Sequence, residues 1–128
     1  MYEYEFNDQS APYYFPRLPG FTPLAAHTID IQFLFPNWHG GVLGFNHPAT
    51  LTEQEQKLSD ELVAAWTNFA NTGNPNGTGN SPWPLYTAHA TAPAFLSENV
   101  PALSTFSDAQ WSTNHNCAFW DSIIVFQP

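Results

Sequence analysis

A chain of 128 residues, 43% apolar and 16% aromatic, is long enough for one domain and too apolar to stay disordered. Its two basic residues, Arg17 and Lys57, stand against eleven acidic ones, and a net charge of −9 repels phosphate backbones and anionic lipid, which excludes nucleic acid and membrane surfaces as partners. Cys117 is the only cysteine, so neither an internal disulfide nor a cysteine-based zinc site can form, and no apolar run approaches the ~20 residues of a membrane span.

Tyr2, Tyr4 and Phe6 alternate with Glu3, Glu5 and Asn7, a period of two that predicts a strand ended by Asn7-Asp8. The start lacks the basic residues and apolar core of a signal peptide and reads as a strand already in progress, the expectation for a piece of a longer chain. Residues 9–26 contain four prolines and Gly20, a long ordered loop of the kind that often carries function, and His27 sits near its end. Ile29, Ile31, Phe33, Leu34 and Phe35 follow, stopped by Pro36; this short run fits a buried strand and a buried helical turn equally. Residues 36–50 form a second loop.

The clearest helix is predicted at about 53–71. Thr52 and Glu55 make a capping box, Leu58, Leu62, Ala65, Trp66 and Phe69 share one face, and Gly73 supplies the C-terminal stop with Pro75 beyond it. After a turn-rich linker, Trp83-Pro84-Leu85-Tyr86 and Ala94-Phe95-Leu96-Ser97 are strand candidates, the second the better one. A terminal helix is expected at about 114–125, with Phe119 paired to Ile123 and Trp120 to Ile124 four residues apart.

Of five histidines, only His27 lies between a long loop and an apolar run, with Asp30 nearby; that is a setting for a general base, and equally for a histidine that merely binds the loop. His27, Asp30, His39 and His47 could converge on a metal, but no close ligand pairing such as H-E-x-x-H is present, so neither a metal nor a cofactor is expected. Trp38-His39-Gly40-Gly41 has the look of an oxyanion loop but stands after the histidine it would have to precede, and is read as a turn. No serine is flanked as G-x-S-x-G, so a serine nucleophile would have to lie outside this chain. Asn76-Gly77-Thr78 matches a glycosylation sequon, which counts only in a eukaryotic secreted protein; Asn74-Pro75-Asn76-Gly77 is already a turn signal.

Five segments, in order, resemble the type-B carboxylesterases, the family of p-nitrobenzyl-esterase-like enzymes and cholinesterases. They are Tyr2-Glu3-Tyr4-Glu5-Phe6, Ala25-Ala26-His27 with the run to Phe35, the stretch from Trp66-Thr67-Asn68-Phe69-Ala70 to Gly73-Asn74-Pro75-Asn76, Trp83-Pro84-Leu85-Tyr86, and Cys117-Ala118-Phe119-Trp120-Asp121. The resemblance implies an α/β class fold, residues 1–128 being an incomplete C-terminal portion of an α/β-hydrolase domain. It implies carboxylic ester hydrolysis on a small-molecule ester, with His27 as the triad histidine and with serine, oxyanion glycines and triad acid in an upstream part of the same domain. Thr28 stands where the family usually has glycine, which predicts a shifted loop. Asp30 stands where it usually has glutamate and is read as a carboxylate that steadies the loop. Phe21 and Leu24 are expected near the substrate pocket, and Cys117 is expected to be buried, its disulfide partner in some relatives missing here.

Two other classes fit parts of the sequence. One is a catalytically inactive relative used for adhesion or binding, against which His27 argues. The other is a small aromatic-rich binding module, which five tryptophans suit and the capped helix and histidine loop do not. Secretion and a cytoplasmic place both remain open.

Overall fold

The computed structural model describes residues 1–39, 48–87 and 92–123. Its centre is a three-stranded sheet in the order β1-β2-β3, with β1 at Glu3–Phe6, β2 at Pro93–Glu98 and β3 at Ser104–Ser107. β1 and β2 are parallel, Glu3 opposite Phe95 and Phe6 opposite Glu98, while β2 and β3 run antiparallel with Ser97 opposite Ser104. A parallel pair needs a long crossover. Here it holds the long loop, α1 at Ile31–Leu34 and α2 at Glu53–Thr72. The ambiguous run after His27 is therefore a helical turn, with Phe33 fully buried and Phe35 left exposed.

The period of two in β1 sorts its side chains. Tyr4 and Phe6 face the helices of the crossover, Tyr4 edge-on to Trp66 at 6.1 Å and Phe6 to Phe33 at 5.0 Å. Glu5 faces the other side. α2 starts on the expected capping box: the Thr52 N–H donates to Glu55 Oε2 at 2.6 Å and the Glu55 N–H to Thr52 Oγ1 at 3.3 Å. It ends at Gly73, whose φ of 75° is left-handed and whose N–H reaches the Phe69 carbonyl at 2.8 Å. Leu58, Leu62 and Ala65 join Ile29, Phe33, Tyr14, Trp83 and Leu96 in one core, and the Ser59 hydroxyl donates to the Phe33 carbonyl at 2.6 Å, tying α2 to the end of α1.

Three expectations need correction. Trp83–Tyr86 joins no sheet among the described residues; Pro84 lacks the donor a ladder needs, and one backbone bond, Tyr86 N–H to the Met1 carbonyl at 3.0 Å, remains. The terminal helix is two, α3 at Asp108–Asn114 and α4 at Cys117–Ile123, because Asn116 turns left-handed at φ 54° between them; residues 124–128 lie outside the described set. Cys117 is half-buried. β3 and α3 were not foreseen, although Ser107 and Gln110 form a second capping box in the sequence pattern that marks the first. α3 packs Trp111 flat on Phe95 at 5.5 Å, and His115 Nε2 lies 3.1 Å from Glu5 Oε2. Between α2 and β2, the Asn76 amide clamps Trp83: its Oδ1 accepts the Trp83 N–H at 2.7 Å and its Nδ2 donates to the Trp83 carbonyl at 3.2 Å.

Candidate active site

Asn7 ends β1 at its carboxyl edge, the end of a parallel strand where α/β folds build their sites. From there the loop runs to His27, and it is pinned at two points. Tyr14, 4% exposed, places its Oη 2.8 Å from the Thr28 carbonyl and 2.7 Å from Thr28 Oγ1. Gln32 of α1 donates from Nε2 to the Pro12 carbonyl at 2.7 Å. Between these anchors His27 sits in a turn with its ring exposed, Leu24 at φ 51° on one side and Thr28 at φ 72° on the other. Thr28 thus adopts the left-handed conformation open to glycine, in spite of its branched side chain. Phe21 and Leu24, of the same loop, are 52% and 46% exposed.

Asp30 precedes α1 and makes no side-chain bond to the helix start. Its charge is felt by Glu98, a residue the sequence did not single out. Glu98 ends β2 opposite Phe6 and points into the core, 1% exposed. Burial first, and the Asp30 carboxylate second, push its carboxyl up from 4.5 to about 8, so it is mostly protonated at neutral pH. Tyr4 beside it is pushed up to about 12 by burial, then by Glu98 and Asp30. A Ser-Glu-Asn stretch at the end of an apolar strand gives no sign of this; only the register that sets Glu98 beside the start of α1 does.

The other histidines part from His27. His39 stacks on Trp38, with ring centroids 6.1 Å apart, and Gly40, Gly41, His47 and His89 lie outside the described residues. Among the described residues no group of three His, Cys, Asp or Glu side chains could hold a metal ion, and the histidine that meets a carboxylate is His115, not His27. What the site offers chemically is an exposed imidazole on a fixed loop, with no orienting acid among the described residues.

Solved structures with this arrangement are α/β-hydrolases. A PNB esterase superposes with a TM-score of 0.59 at 24% identity, over 89% of this chain and 21% of that one. A carboxylesterase of Geobacillus stearothermophilus gives 0.56 at 28% identity, over 91% and 21%. The fold is a portion of the α/β-hydrolase fold. The family model described as the carboxylesterase family matches residues 1–120, and the chain belongs to that family. It is 40% identical over 89 residues to Carboxylesterase 5A of Mus musculus, covering 67% of this chain and 14% of that protein. To the acetylcholinesterase of Bungarus fasciatus it is 29% identical over 126 residues, 97% of this chain and 18% of that protein. The chain therefore spans less than a fifth of the length of these two relatives.

Proposed function

We propose that residues 1–128 are the C-terminal segment of a carboxylesterase domain that hydrolyses small carboxylic esters, and that His27 is its general base. The observation that carries this is the family match over residues 1–120 together with an exposed histidine, His27, on an anchored loop beyond the carboxyl end of β1. β1 lies at the sheet edge, and Trp66 and Phe69 on α2 are about half exposed, which supports a sheet that continues into an upstream part of the same domain. His27 takes the proton of a serine hydroxyl from that part as the oxygen attacks the ester carbonyl. It returns the proton to the alkoxide leaving group as the acyl–oxygen bond breaks. A water molecule, deprotonated by the same imidazole, then releases the acid and frees the serine. An acid outside this chain orients the ring, since among the described residues the histidine paired with a carboxylate is His115.

The test is p-nitrophenyl ester hydrolysis by the complete protein with His27, His39 or His115 changed to alanine. His27→Ala is expected to lose on the order of 10⁴-fold in kcat with the fold intact by circular dichroism, the other two to stay close to the parent. Turnover retained by His27→Ala removes His27 from the mechanism.

A further inference from the structure

We propose that Tyr14 is the positioning residue for His27: its hydroxyl holds the Thr28 backbone left-handed, and that backbone sets where the neighbouring imidazole projects. The inference rests on the reading of His27 as general base and extends it to a residue thirteen positions upstream.

Thr28 is the residue immediately after His27, and its φ of 72° is one that a β-branched side chain disfavours because its Cβ crowds the following carbonyl. Leu24, three residues before His27, has φ 51°. Such strain persists only where the surroundings over-determine it, and it gathers at functional positions. At Thr28 the determining group is Tyr14. Its hydroxyl donates to the Thr28 carbonyl at 2.8 Å, and the Thr28 hydroxyl, 2.7 Å from the phenol oxygen, can donate back, so both contacts are hydrogen bonds at once. The same carbonyl also accepts the Ile31 N–H at 3.2 Å, so the contact point is the joint between the His27 turn and α1.

The phenol itself is fixed. Tyr14 is 4% exposed, its ring 4.6 Å from that of Phe15 and edge-on to Trp38 at 6.3 Å. A phenylalanine would fill this place equally well, so the packing does not need the hydroxyl. The hydroxyl's two partners both belong to Thr28. A glycine at 28 would take the left-handed angle without help. The role of Tyr14 is therefore tied to the branched residue at 28, and the two positions should be energetically coupled.

The experiment is a double-mutant cycle in the complete protein with Tyr14→Phe, Thr28→Gly and the pair, read by p-nitrophenyl ester kinetics and by thermal unfolding. Tyr14→Phe is expected to lower kcat by on the order of tenfold or more with KM little changed, because a displaced base slows chemistry without touching ground-state binding. Thr28→Gly is expected to raise kcat far more in the Tyr14→Phe background than in the parent, restoring most of the kcat lost there. The unfolding midpoint should rise more on Thr28→Gly when Tyr14 has been changed than when it has not. A Tyr14→Phe protein with unchanged kcat, or a loss that Thr28→Gly does not relieve, overturns the proposal and leaves His27 as base. Turnover retained by His27→Ala overturns the general-base reading instead. In that case additive midpoint shifts at 14 and 28 overturn the hold on Thr28 as well, and coupled shifts uphold it.

Discussion

α2 and the loop that carries His27 are made in opposite ways. α2 is specified from within: a reciprocal cap at Thr52 and Glu55, an apolar stripe at Leu58, Leu62 and Ala65, and a glycine at 73 that ends it. Every one of these signals lies within the helix or one residue beyond its ends. The loop has no internal repeat of any kind. Its shape comes from contacts between residues 14 and 20 positions apart in sequence, Tyr14 to Thr28 and Pro12 to Gln32, and it stores backbone strain at Leu24 and Thr28. On the proposed role of His27 the helix sets stability and the loop sets chemistry, and substitutions should separate the two.

The widest separation is expected between His27→Ala and Leu62→Ala. The first should leave the urea midpoint of the complete protein unchanged, the ring being exposed, while turnover falls by the four orders of magnitude given above. Leu62, 1% exposed, should cost about 2–5 kcal/mol in urea unfolding when cut to alanine, with kcat per folded molecule preserved. A fall in kcat that tracks the lost stability would break the division between helix and loop.

Glu98 bridges the two regions, since it is buried in the core yet feels Asp30 at the end of the loop. Its folded-state value of about 8 lies above the usual 4.5, so the folded chain holds this proton more tightly than the unfolded one. The stabilisation is complete below about 4.5 and is lost as pH rises through about 8. Urea midpoints across that range should decline for the parent and decline less for Glu98→Gln, which keeps the shape and cannot ionise. Equal slopes would show that Glu98 is not the titrating group. The smallest effect is expected at the cap: Thr52→Ala should cost about 1 kcal/mol in the same unfolding assay, with kcat untouched.

The contrast also explains what the sequence could reveal. α2 was legible almost to the residue because its causes are local, and β1 because its alternation of apolar and polar residues reports a strand covered on one face. The division of the terminal helix was not, since Asn116 carries no proline or glycine to announce a break. β3 follows a cis Val100–Pro101 bond and pairs through Phe106 against Phe95, a match visible only once β2 is in place. In the site, His27 stands out in the sequence by its place between a long loop and an apolar run, and its proposed role comes from the family resemblance. Tyr14 and Glu98 do not stand out, because a tyrosine in a proline-rich loop and a glutamate after a strand look like ordinary surface residues until the fold brings Thr28 and Asp30 to them. The branched residue at 28 predicted a displaced loop; in the structure Thr28 takes the left-handed angle itself, bonded to Tyr14.

The Asn76 amide behaves as a detached piece of backbone. By accepting from the Trp83 N–H and donating to the Trp83 carbonyl it gives that residue the two bonds a neighbouring strand would give, and Nδ2 has its second hydrogen directed to Asn74 Oδ1 at 3.1 Å. Both hydrogens of that nitrogen are spent. The same nitrogen is the atom an N-linked sugar would occupy at Asn76-Gly77-Thr78, and the linkage leaves it a single hydrogen. A sugar joined before folding would therefore cost one of the two donations, and the segment that seats Trp83 in the core would close with one side of its latch open.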